Sequence, residues 1–247
     1  FHAMILAGGS VMAHYEYLDI PGIDHLGRQP NNPWTTVQAA SAAGQLGRER
    51  VVCELYGGAG QSLTFTEMKR LADYQAALGV SFFCPHLTAF TLKGDAKRDF
   101  PPTLSPHQPW WEHARVLTDY LARISWAVGR GRRASDVLVV HPILSACGSL
   151  DMSAEDGGEA LKATENSFRA LLNELTSQHI GFDLGDERML IAHGATDRGN
   201  LHVGFSKYRM VVLPAALTWL SSTVDLLESV SCPVLIAGEI PGKVSGV

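Results

Sequence analysis

The sequence predicts an α/β protein: the C-terminal part of a (β/α)8 barrel followed by a flavodoxin-like open parallel sheet. Three observations carry this. Up to residue 86, short apolar runs alternate with amphipathic stretches as strand, helix, strand, helix, strand, the order that favours parallel pairing through right-handed crossovers. After a glycine- and arginine-rich break at residues 129–133, fully apolar strands again alternate with helices, as in a sheet covered on both faces. A closed eight-stranded barrel takes about 250 residues, and only three barrel-type strands precede the break, so the first unit reads as the last part of a barrel. The two domains are expected at residues 1–130 and 131–247.

The elements follow in order. Residues 11–17 (VMAHYEY) read as a strand and run into a turn at Pro21-Gly22. Residues 35–46 place Val37, Ala40, Ala43 and Leu46 at helical spacing, with Gly47 as the stop. A short β-branched run from Arg50 to Cys53 ends on Glu54 and opens into Tyr56, Gly57, Gly58 and Gly60. A helix over 66–78 aligns Met68, Leu71, Ala72, Gln75 and Leu78 and stops at Gly79; residues 80–86 form the next strand. A long loop, 87–108, leads through Pro109-Trp110-Trp111 into a helix over 110–128 with Leu117, Leu121, Ile124 and Val128 on its buried stripe. Beyond the break come strands at 136–142, 180–183, 189–192, 210–214 and 233–237, and helices around 165–178 and 221–230.

Polar groups sit where those first strands end: His14, Asp19 and Asp24 around the first, Glu54 on the second, His86 on the third. In a βα barrel the carboxyl ends of the strands converge on one pocket, so three such placements in register point to a site. Glu54 is its candidate acid or base; the plainer alternative is a carboxylate that caps the following turn. Asp24 could bind its own turn by the usual Asx habit, and His14 and His86 could be buried imidazoles bonded to backbone. Paired Trp110 and Trp111 suit stacking on the apolar C–H face of a sugar, or packing of the loop onto the barrel.

Composition narrows the partners. The chain is 46% hydrophobic and 18% charged with net charge −5, and its densest basic cluster, Arg130, Arg132 and Arg133, lies in a glycine-broken loop, so a nucleic-acid partner is not expected. No apolar run is long enough to span a membrane, and no charged segment followed by an apolar one opens the chain. The cysteines Cys53, Cys84, Cys147 and Cys232 lie far apart without metal-ligand spacing and read as buried free thiols. No metal site or cofactor is expected, calcium being the one ion left open. The chain begins at Phe1 and stops at Gly246-Val247 just after a strand and turn, so it is expected to be a piece of something longer.

Several segments together resemble large bacterial glycoside hydrolases of the α-L-rhamnosidase type, family 106 and its relatives: Ile20 to Arg28 (IPGIDHLGR), Gln45 to Gly47 (QLG), Arg50 to Gly57 (RVVCELYG) and Leu78 to His86 (LGVSFFCPH). Lys97 to Pro102 (KRDFPP), Gln108 to Trp111 (QPWW) and Tyr208 to Pro214 (YRMVVLP) extend the resemblance over nearly the whole chain. It implies that residues 11–17, 50–54 and 80–86 are the sixth, seventh and eighth barrel strands. Glu54 then stands where related barrels place one of two catalytic carboxylates, as general base or nucleophile, with the second on an earlier strand outside this chain. His14, Asp24, Tyr56, His86, Trp110 and Trp111 become contacts or orienters for a glycoside or oligosaccharide substrate. The second unit resembles the trimerisation domain of family 42 β-galactosidases, itself like a class I glutamine amidotransferase, through which copies could associate. Neither Cys147 nor Cys232 has the glycine-flanked setting of an amidotransferase nucleophile, so that unit is expected to be structural or interfacial. The competing expectation is a non-catalytic carbohydrate-binding or assembly protein that retains the fold.

Overall fold

The structure, a computed structural model, describes residues 10–30, 32–98, 101–154, 157–239 and 241–245. It divides into two compact units, Asp19–Ala43 with Arg48–Arg133, and Gly44–Gly47 with Ala134–Val247 and the residues up to Leu18.

A short helix α1 (Val11–Tyr15) stands where a strand was expected. Ser10 accepts from the Ala13 N–H to cap it, and Met12 and Tyr15 are buried three residues apart. A short apolar run does not distinguish strand from helix by periodicity, and here the cap decided it. The first barrel strand is instead β1 (Gly22–Leu26), in the segment read as a turn. Then follow α2 (Trp34–Gln45), β2 (Val52–Gly57), α3 (Phe65–Ala77), β3 (Phe82–Pro85) and α4 (Ala114–Val128). β2 continues three residues beyond Glu54, which therefore lies inside the strand rather than at its end.

Among the described residues, β1, β2 and β3 form one parallel sheet in that order. Alternation sorts β2: Cys53 and Leu55 are fully buried and Glu54 is exposed. Helix α3 packs on β2 and α4 on α3. The face of α3 that sequence spacing selects, Met68, Leu71, Ala72 and Gln75, is buried, each large apolar side chain contributing about 2 kcal/mol. Its start is set by a reciprocal cap between Thr64 and Glu67, with Arg28 2.8 Å from the same carboxylate. The Thr64 backbone N–H, the Thr64 hydroxyl and the Arg28 guanidinium hold the Glu67 carboxyl down at about 2.

The other unit contains β4 (Val137–Val140), α5 (Ile143–Gly148), α6 (Glu159–Ser177), β5 (Phe182–Gly185), α7 (Glu187–His193), β6 (Gly194–Asp197), β7 (Asn200–Val203), β8 (Ser206–Tyr208), β9 (Met210–Pro214), β10 (Thr218–Trp219), α8 (Ser221–Glu228), β11 (Val234–Ala237) and β12 (Lys243–Val244). Its main sheet is parallel throughout in the order β11-β9-β4-β5, so the chain winds one way from β4 to β5 and the other way to β9 and β11, as in flavodoxin-like folds. Leu138, Val140, Leu190, Leu201, Val203, Tyr208, Val211 and Trp219 form its core.

Residues 189–192, expected as a strand, belong to α7. Asp186 accepts from the Arg188 and Met189 N–H groups, and burial then falls on Met189 and Leu190 while Ile191 is exposed, a helical division of an apolar run. The antiparallel meander β6-β7-β8 was not anticipated. Its first hairpin turns at Arg198 and Gly199, both at positive φ, the geometry that matches strand twist.

Candidate active site

The register of the barrel sheet assembles the site. Asp24 on β1 pairs with Glu54 on β2, and Glu54 with Cys84 on β3, so the three share one level and one face. One step toward the carboxyl ends, His86 follows β3, its N–H donating to the Leu55 carbonyl. Its Nδ1 lies 3.4 Å from Glu54 Oε1, an ion pair whenever the imidazole is protonated. Asp24, Glu54 and His86 are thus brought to one open face, with Leu26 and Phe82 as exposed apolar neighbours on it.

Charge on this face is uneven. Partial burial of the Asp24 carboxyl, and then the nearby Glu54 charge, raise its pKa above the usual carboxylate range, opposed by His86 and His25. His25, the next residue on β1, points to the other face and is fully buried. Burial lowers its pKa, offset in part by the Asp24 charge, so it stays neutral and does not take part in the site.

The remaining expected site residues fall elsewhere. His14 is exposed on α1 and belongs to the other unit. Tyr56 is wholly buried and donates from its hydroxyl to the Met68 carbonyl, 3.1 Å away, so it packs under α3 instead of touching a ligand. Burial raises its phenol pKa far out of the physiological range. Its backbone is left-handed, φ 77°, uncommon for a bulky residue and costing on the order of 1–3 kcal/mol. Trp110 packs edge-on against Phe65 at 4.9 Å, the packing alternative, whereas Trp111 is exposed.

Cys84, expected buried, is the exposed one of the four cysteines and stands beside Glu54; Cys53 is buried, and Cys147 and Cys232 are intermediate. Sequence reasoning also passed over Gly57, which pairs with Leu26 on the site face; the Tyr-Gly-Gly string was its only signal.

The long loop is pinned to the turn after β2 through Gln61. Its amide donates to the Pro101 carbonyl, and its carbonyl accepts from Thr103 N–H and from Gln108, each at 3.0 Å. Asp99 and Phe100 of the KRDFPP segment lie outside the described residues. Among the described residues, no group of three or more His, Cys, Asp or Glu is arranged to hold a metal ion, and no helix is long and apolar enough to cross a membrane.

Carboxylates and an imidazole at the carboxyl side of parallel strands, outside a layer of covering helices, suit acid–base chemistry. The fold is part of a (β/α)8 barrel with an open parallel sheet, and solved structures that share it are glycoside hydrolases. Among solved structures, the chain is similar to a rhamnosidase from Novosphingobium sp. PP1Y, with TM-score 0.68 and 19% identity over 92% of this chain and 22% of that one. It is also similar to Gan42B, a GH42 β-galactosidase from G. stearothermophilus, with TM-score 0.52 and 13% identity over 88% of this chain and 32% of that one. The chain therefore spans about a fifth to a third of these proteins, and at such identities the likeness defines the fold. No protein-family model and no curated protein matches the sequence.

Proposed function

We propose that the chain is the site-bearing C-terminal part of a glycoside hydrolase that cleaves O-glycosidic bonds, with α-L-rhamnosides as substrates and Glu54 as general base or nucleophile. The observation that carries this is the assembly of Asp24, Glu54 and His86 on one open face of adjacent parallel strands, in a fold similar to that of a rhamnosidase. His86 orients Glu54 through the contact between its Nδ1 and Glu54 Oε1. Asp24 contacts a sugar hydroxyl, and exposed Trp111 offers a stacking surface.

Glycoside hydrolysis needs a second carboxyl group, about 5 Å away for retention or about 6.5–9.5 Å for inversion. In this reading Asp24, paired with Glu54 on the adjacent strand, is kept for a sugar hydroxyl, and the second catalytic carboxyl comes from a barrel strand outside these residues, facing Glu54 across the ring. The open sheet serves assembly, with no cysteine nucleophile: Cys147 lies inside α5 with a glycine on one side only, and Cys232 directly precedes Pro233.

The test is turnover of aryl α-L-rhamnosides and aryl β-galactosides by the 247-residue chain and by a longer polypeptide that supplies the remaining barrel strands. Hydrolysis of the rhamnoside by the longer protein alone is expected. Turnover by the short chain would refute the missing-carboxylate argument, faster β-galactoside cleavage would replace the substrate, and saturable sugar binding without hydrolysis by either would favour the non-catalytic protein.

A further inference from the structure

The long loop after β3 is laced to its own start. The Leu87 N–H donates to the Pro102 carbonyl at 3.4 Å, and the Leu104 N–H to the Leu87 carbonyl at 2.9 Å. Thr88 Oγ1 donates to the Leu104 carbonyl at 3.0 Å, and the Ala89 N–H to Thr103 Oγ1 at 2.9 Å. Residues 87–89 and 102–104 therefore run side by side, with Pro101, Pro102 and Thr103 buried.

The other flank of 101–103 is met by the Gln61 side chain. A carboxamide both donates and accepts, so Gln61 bonds the Pro101 carbonyl and the Thr103 N–H together, as a neighbouring strand would bond residues two apart. Gln108 donates to the same Gln61 oxygen at 3.0 Å and helps to orient it. Pro101 and Pro102 have fixed φ, which makes the segment between Gln61 and residues 87–89 stiff.

This lacing bears on His86. Its own N–H donates to the Leu55 carbonyl at 2.7 Å, and the next residue, Leu87, is tied to 102–104. With the peptides on both sides held, the direction of the Cα–Cβ bond is set, and Nδ1 falls 3.4 Å from Glu54 Oε1. Sheet pairing supplies only the first of these two anchors; the second comes from the loop, and the loop is held by Gln61.

We propose that Gln61 is a positioning residue for the Glu54–His86 pair, acting through residues 101–103 and Leu87. What the pair does rests on the glycosidase reading; that Gln61 holds it does not.

The test asks whether Glu54 and His86 sense each other. In the isotopically labelled 247-residue chain, Glu54→Gln should move the nitrogen signals of the His86 ring. In a Gln61→Met background, similar in size but without the paired donor and acceptor, the same change should move them by about a third as much or less. Should Gln61→Met not fold, Thr103→Val, which cuts the bond from the Ala89 N–H on the opposite flank, decides in the same way. An undiminished response would overturn the proposal, as would a wild-type His86 ring indifferent to Glu54→Gln. In the longer polypeptide, Gln61→Met should lower kcat for the aryl α-L-rhamnoside by roughly tenfold to a hundredfold with KM little changed; turnover at the wild-type rate would overturn the positioning role. Coupled signals in the short chain with no hydrolysis by the longer one would sink the glycosidase reading alone and support the hold of Gln61 on the pair.

Discussion

Acids and histidines stand at the carboxyl side of parallel strands in both units, and their surroundings differ completely. On the barrel sheet, Asp24, Glu54 and His86 are within reach of solvent and of one another. On the open sheet, His141 directly follows β4, and Asp186 and Glu187 follow β5, and all three are essentially inaccessible. Neither ring nitrogen of His141 has a hydrogen-bond partner; the ring packs edge-on against Phe168 at 5.3 Å. Asp186 caps α7, and Glu187 accepts from the Leu220 N–H at 2.8 Å. Polar groups on the carboxyl side of parallel strands are therefore open to solvent in one sheet and sealed into the architecture of the other. The difference teaches that strand topology places polar groups, while access to water decides what they can do.

The contrast is broken most directly at Glu54. Glu54→Gln in the longer polypeptide that the proposed function requires should lower kcat by about 10²–10⁴-fold and leave the unfolding midpoint of the short chain nearly unchanged, as steady-state kinetics and thermal melts would record. A large loss of stability would assign Glu54 to the architectural class.

The next largest effect is a pH dependence from His141. Burial lowers its pKa from 6.5 to about 4, with Asp186 opposing, so the unfolded chain binds a proton that the native chain excludes between those values. Stability from this group is complete above pH 6.5 and is lost as pH falls toward 4, on the order of 3 kcal/mol in all. Glu187 acts in the opposite sense: burial raises its carboxyl pKa, so its contribution is greatest below the ordinary carboxylate range and falls as pH rises through its folded value. Denaturant melts from pH 7 to pH 4 should show a shallower decline in His141→Gln than in the wild type; parallel curves would remove His141 as the cause.

Glu187→Ala should cost about 1–3 kcal/mol at pH 7, since it leaves the Leu220 N–H without its acceptor. Urea titration measures it, and a change below half that lower bound would mean water replaces the carboxylate.

The smallest effect is on the barrel side. Asp24→Asn should change stability by no more than about 0.5 kcal/mol, toward stabilisation at neutral pH. The raised Asp24 pKa means that ionisation there weakens the fold, so the gain should vanish once the pH falls below the ordinary carboxylate range. Destabilisation at pH 7 instead would show that Asp24 holds the sheet together.

Much of this arrangement was legible before the structure. The helices at 34–45 and 65–77 followed from spacing and their glycine stops, and the apolar strands of the second unit from their unbroken runs. Asp24, Glu54 and His86 were legible as a set because strand order alone brings carboxyl ends together. The misreadings fell on short apolar runs: residues 11–17 and 189–192 carry too few residues to display a period, and caps from Ser10 and Asp186 made them helical. Tyr56 was misassigned for a different reason, since a register slip reverses the face on which a residue lies and leaves the composition of the strand unchanged.

The sequence by itself determined the alternation of strand and helix and the candidate acid–base residues, because these rest on local pattern and chemical type. Only the tertiary structure decided that β1 lies at residues 22–26, that Tyr56 yields its place to Gly57, and that Cys84 is open while His141 is sealed. Register and burial depend on which distant segments pack together, and that long-range pairing is not written in any single stretch of the chain.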